Sequence, residues 1–122
     1  MSTSSRIAER SSGRAGTDRR VALALLLVRH GAELVVVGGT ARWLRGGPQA
    51  PRDLDLAVAE ADLPALVDAL AHLGVEVSAE RLRRSGVVAL RTAWGPVDVF
   101  VGAVPPAVPL TVDGCTLAVA RD

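Results

Sequence analysis

Lysine is absent from this chain: all fourteen of its basic residues are arginine. That excludes a Schiff-base lysine and the phosphate-gripping lysine of a P-loop. Aromatic side chains are almost as scarce, with Trp43, Trp94 and Phe100 the full set and no tyrosine, so the core has to be built from Val, Leu and Ala. Cys115 is alone. It has no partner for an internal disulfide, which argues against a cysteine-based metal site and fits a reducing cytoplasm. Long apolar runs are missing too: Val21 to Val28 is the longest, far short of the roughly 20 residues that cross a bilayer. The N-terminal arginines flank no apolar signal core, and the chain reads as untargeted, cytoplasmic and unconnected to a membrane.

What is present is enough for one domain. The chain has 122 residues, of which 49 % are apolar, a length that supports a single core and not two. Charge is unevenly placed. Residues 1–20 carry Arg6, Arg10, Arg14, Arg19 and Arg20 against Glu9 and Asp18, a net of +3, and the whole-chain charge of +1 leaves −2 for the remainder. A slightly acidic body is not the footprint of a general nucleic-acid binder. Residues 1–16, rich in Ser, Gly and Arg, bury too little to offset the entropy of ordering, so they read as a disordered basic tail ahead of a single domain over 17–122.

Thr17 is the expected N-cap of a first helix, with Asp18 in its first turn and Gly31 as its stop. Between them Val21 to Val28 is apolar nearly all round, predicting a helix packed on more than one side. Leu34 to Val37 is a short β-branched run ending in Gly38-Gly39, the pattern of a buried central strand. One or two helical turns are expected over Thr40 to Leu44, and a Gly/Pro loop over 46–51 leads to an acidic strand, Leu54 to Ala59. Leu63, Leu66, Val67, Leu70 and Leu73 recur at helical spacing behind Pro64, with Gly74 closing the helix. In residues 75–86, Val75 and Val77 suggest a short strand and Arg81, Arg83 and Arg84 a polar stretch. Hairpins are expected for 87–92 with 97–101, and for 110–112 with 116–119 around Asp113-Gly114. This order gives an α/β (α+β) domain with a mixed β-sheet and helices mostly on one face.

The acids carry the chemistry. Asp53 and Asp55 stand two apart in Arg52-Asp53-Leu54-Asp55-Leu56, and in a strand such a pair projects from one face. Like charges so placed repel unless a cation lies between them, and hard divalent ions such as Mg2+ take oxygen ligands while keeping positions for phosphate. Asp98 interrupts a third apolar run, Val97-Asp98-Val99, where a carboxylate is costly without a metal or hydrogen bonds. Upstream, the bare amides of Gly38 and Gly39 and the hydroxyl of Thr40 suit an anion, although the glycines also serve a sharp turn and Thr40 a helix cap. Arg42 and Arg52 lie nearest the motif for phosphate oxygens. His30 and His72 read as capping or surface residues. Trp43 and Trp94 suit core or loop packing, or stacking on a base.

Taken together, Val35-Val36-Val37-Gly38-Gly39-Thr40-Ala41, the loop to Arg52-Asp53-Leu54-Asp55-Leu56, and Val97-Asp98-Val99 resemble the minimal nucleotidyltransferases of the DNA polymerase β superfamily. The nearest flavour is the AbiEii-like group, which includes toxin components of toxin–antitoxin systems. The resemblance spans about residues 20 to 120. It implies that Gly38, Gly39 and Thr40 hold nucleotide phosphates with Arg42 and Arg52. It makes Asp53, Asp55 and Asp98 the ligands of Mg2+ or Mn2+, with Asp98 also serving the acceptor hydroxyl. An NTP would give its nucleoside monophosphate to RNA, a protein or a small molecule. Gln49 and Pro51 stand where relatives carry an Arg and a Thr or Ser, and the lysine-bearing helices of relatives do not follow before Asp122. Two alternatives stay open: a catalytically degenerate nucleotide-binding or regulatory domain, and a domain completed by a protein partner.

Overall fold

The computed structural model describes residues 18–121; the expected tail over 1–16 and the expected cap at Thr17 lie outside them. Helix α1 spans Arg19–Arg29, and its N-cap is Asp18, one residue later than the expected cap. The Asp18 carboxylate accepts from the amides of Arg20 (2.9 Å) and Val21 (3.2 Å), groups that a helix start otherwise leaves unpaired. Val21, Leu23, Ala24, Leu25 and Leu27 are all buried, so α1 does pack on more than one side. It ends at His30, followed by Gly31 at φ +94°.

Strand β1 (Val35–Val37) passes directly into helix α2 (Gly38–Leu44), and a loop then leads to β2 (Leu54–Val58). A 3-10 turn at Glu60–Asp62 precedes α3 (Leu63–His72), which has Pro64 in its first turn. The expected strand around Val75 and Val77 does not form. Instead Ser78 caps α4 (Ala79–Ser85), its hydroxyl accepting from the Arg81 amide at 3.0 Å. A cap within the polar stretch outweighs two isolated valines that have no third alternating partner. Strands β3 (Val87–Thr92) and β4 (Gly95–Val101) form the first expected hairpin, with Gly95 and Pro96 belonging to β4 and not to the turn. Strands β5 (Ala107–Val112) and β6 (Cys115–Ala120) form the second, around Asp113 and Gly114 at φ +49° and +77°, left-handed conformations that suit a tight hairpin turn.

The six strands make one mixed sheet in the order β3-β4-β2-β1-β6-β5. β2 runs parallel to β4 and β1 parallel to β6, and the other neighbours are antiparallel. Register divides the sheet into two faces. Leu54, Leu56 and Val58 align with Val97, Val99, Val36, Val88 and Leu90 on one face, and all of these are buried together with Leu63, Leu66 and Leu70 of α3. Helix α1 packs against β2, β4, β6 and α3, while α4 packs against β3 and β4. On the β3–β4 side the opposite face stays open, with Val87 54 % and Phe100 38 % exposed. No helix among the described residues is long and apolar enough to cross a membrane.

Candidate functional site

One row of register runs across the open face: Ala89, Asp98, Asp55 and Val37 are successive partners on β3, β4, β2 and β1. Asp55 and Asp98 therefore stand side by side on parallel neighbours, between residues that are buried on the far face: Leu54, Leu56, Val97 and Val99. The apolar neighbours anchor each strand and force its acid outward. Parallel strands align their starting ends, and β1, being antiparallel, brings its finishing end to the same place. The Gly38 turn consequently lies against the acids.

That contact is close. Gly38 has φ +66°, and a Cβ placed on it would lie 3.3 Å from Asp55 Cγ and nearer still to Oδ2. Glycine is needed here twice over, for the left-handed backbone and for the space that the Asp55 carboxylate fills. Asp55 is pushed up to about 6 by burial first, then by the negative charges of Asp98 and Asp53 and a hydrogen bond with Asp98, against the pull of Arg42. Burial and like charge both disfavour the ionised form, and the hydrogen bond to Asp98 holds the proton in place. Two neighbouring carboxylates are also a pair of hard oxygen donors, which would hold a divalent cation in place of the proton on Asp55. The donor chemistry fits Mg2+ or Mn2+. The gathering is nevertheless a pair with a neighbour: among the described residues no group of three or more His, Cys, Asp or Glu is arranged to hold a metal.

Asp53 differs from the expectation in one respect. It lies in a bend before β2, not in the strand, so strand alternation does not place it with Asp55. Side chains from two helices fasten this bend. Thr40, fully buried, donates its hydroxyl to the Asp53 carbonyl at 3.0 Å. The Arg20 guanidinium donates to the carbonyls of Pro51 and Arg52 and pairs with Asp18 at 2.6 Å. Thr40 is thus engaged in holding the loop and offers no exposed hydroxyl to a phosphate. Burial opposes ionisation of Asp18, yet the hydrogen bond and charge of Arg20, with the backbone amides, hold its carboxyl below the usual range.

Two clefts flank Arg52. One, of about 310 Å3, is lined by Gly39, Arg42, Gly47 and residues 48–52, and so gathers three of the expected phosphate-binding residues. The other, of about 340 Å3, is lined by Asp18, Arg19, Arg20, Arg52, Trp94 and the start of β4. A further cleft of about 410 Å3 between the end of α1 and β5–β6 has, among the described residues, Glu33 as its one ionisable wall and none in common with these two. The Asp18–Arg20 latch escaped sequence reasoning because its partners lie some thirty residues downstream; a capping Asp followed by Arg is no signal of such a contact. No family model matches the chain, and no curated protein or solved structure matches it either.

Proposed function

We propose that this chain is a metal-dependent nucleotidyltransferase, moving a nucleoside monophosphate from an NTP to an acceptor hydroxyl. The observation that carries the reading is the Asp55–Asp98 pair, aligned on parallel strands, with Asp55 pressed against the Gly38 turn. Asp55 and Asp98 would hold Mg2+ or Mn2+, with Asp53 adding negative charge beside Asp55. When bound, the ion supplies neutralising charge for the triphosphate and lowers the pKa of the acceptor hydroxyl. Gly39, Arg42 and Arg52 line the cleft that takes the triphosphate, the two guanidinium groups matching phosphate oxygens in pairs. Asp98 accepts the proton of the acceptor hydroxyl as the oxygen bonds to the α-phosphorus. The bond from that phosphorus to the bridging oxygen breaks, and pyrophosphate leaves. Little covalent chemistry is asked of the protein, and positioning supplies most of the effect.

A second reading, a nucleotide-binding regulatory domain without turnover, is favoured by the position of Asp53 outside the strand and by the two-acid gathering. Thermal-shift titration with ATP, GTP, CTP and UTP, with and without Mg2+ or Mn2+, tests what both readings share. At a hundred times its dissociation constant a ligand adds about 2.7 kcal/mol. At least one NTP is expected to stabilise the chain in a metal-dependent way, and Asp53→Ala or Asp55→Ala to abolish that dependence. No response to any NTP with metal present overturns both.

A further inference from the structure

The 340 Å3 cleft on the Trp94 side of Arg52 combines cations with an aromatic ring. Its walls include Asp18, Arg19, Arg20, Arg52 and Trp94, so one of the chain's two tryptophans shares a cleft with three of its fourteen arginines and a single acid. The three arginines are not equivalent. Arg20 is committed to Asp18 and to the loop carbonyls and forms a fixed wall. Arg19 and Arg52 are exposed, and their guanidinium groups make no hydrogen bond or ion pair among the described residues. Trp94, half-buried, is presented by a braced turn: its amide donates to the Thr92 hydroxyl at 3.0 Å, and that hydroxyl donates to the Gly95 carbonyl at 2.8 Å. Trp94 also packs against the core, and a half-buried tryptophan with two guanidinium groups free of partners among the described residues, lining one cleft, is a composition that suits an unpaired base and its flanking phosphates.

We propose that this cleft binds single-stranded nucleic acid, one base stacking on Trp94 and adjacent phosphates pairing with Arg19 and Arg52. A duplex hides its base faces and is far wider than a 340 Å3 cleft. An acidic peptide satisfies the arginines and leaves the ring unused. Two of the cleft's walls are continuous in sequence with the acids: Arg52 is followed by Asp53, and Gly95 and Pro96 run on through Val97 to Asp98. Resting on the nucleotidyltransferase reading, the inference then names the acceptor class: the terminal hydroxyl of a single strand.

Anisotropy of a labelled six-nucleotide strand, made as RNA and as DNA and measured with the full chain without NTP or metal, tests the cleft by itself. Binding of either strand is expected, with an affinity that falls with salt at a log–log slope of about −1.4 for two phosphate contacts. Trp94→Ala is expected to weaken binding about tenfold or more, while Trp94→Phe keeps most of it. Arg19→Ala, on the exposed first turn of α1, is expected to weaken binding alike for all sequences and to reduce the slope by about 0.7. Absence of binding, wild-type affinity in both Trp94→Ala and Arg19→Ala, or equally tight binding of a duplex or an acidic peptide overturns the proposal. Strand binding without any metal-dependent NTP response sustains the cleft and overturns the nucleotidyltransferase reading; the reverse result overturns the cleft alone.

Discussion

At the scale of single residues, the site is a deliberate conflict. Asp55 and Asp98 share a register position, and burial, like charge and a hydrogen bond raise Asp55 to about 6. The native state therefore holds a proton between about pH 4 and 6 that the unfolded chain releases. Stability contributed by that proton is present below the unfolded pKa and is lost as pH rises to about 6, above which it stays level. Removing the neighbouring charge relieves part of this penalty. Asp98→Asn is expected to raise stability at pH 7.5 by about 0.5 kcal/mol, a figure reduced for solvent screening, or a Tm rise of about 2–4 °C, with the gain vanishing near pH 4. Melting curves at the two pH values check it. A lower Tm at pH 7.5 would mean that the pair stabilises the fold and is not held against it. The sequence made this position legible, since a lone acid between valines that face the core has to project from the other face.

At the scale of elements, the acids depend on a loop that side chains of two helices hold in place. Arg20 of α1 reaches the carbonyls of Pro51 and Arg52, and Thr40 of α2 reaches that of Asp53. Successive carbonyls are thereby satisfied by side chains where no strand partner exists. Arg20→Gln removes the fork and leaves the Asp18 carboxylate, 8 % exposed, without its ion pair. The expected loss is about 1–2 kcal/mol, read as a lower urea midpoint with an unchanged m value, together with a smaller metal-dependent NTP shift. Full retention of both would detach this latch from the site. None of it was legible in the sequence. Helix starts, the Asp113-Gly114 turn and the apolar runs are local signals, whereas a guanidinium that reaches a distant loop leaves no local pattern. The same holds for Asp53, whose two-residue spacing from Asp55 suggested a strand that begins only at Leu54, and for α4, where a serine cap decided a stretch that valines had made ambiguous.

At the scale of the whole molecule, topology does what sequence spacing cannot. The mixed sheet and its strands were legible from apolar alternation, but the order β3-β4-β2-β1-β6-β5 was not. That order sets Asp98 on one side of Asp55 and the Gly38 turn on the other, on the face that the helices packed against the core leave open. It also sets the two clefts on either side of Arg52, one rich in loop backbone and one carrying a tryptophan. On the proposed reading, the aligned carboxylates would bind a divalent cation that displaces the proton of Asp55. Calorimetric titration with Mn2+ alone at pH 5, 7 and 8, on the wild-type chain and on Asp55→Asn, tests it most directly. Because Asp55 titrates at about 6, proton competition should make binding about tenfold weaker at pH 5 than at pH 7, with little change from pH 7 to 8 and none of this dependence in Asp55→Asn. Affinity that is the same at pH 5 and pH 7, or an Asp55→Asn chain that binds Mn2+ as the wild type does, would contradict the account.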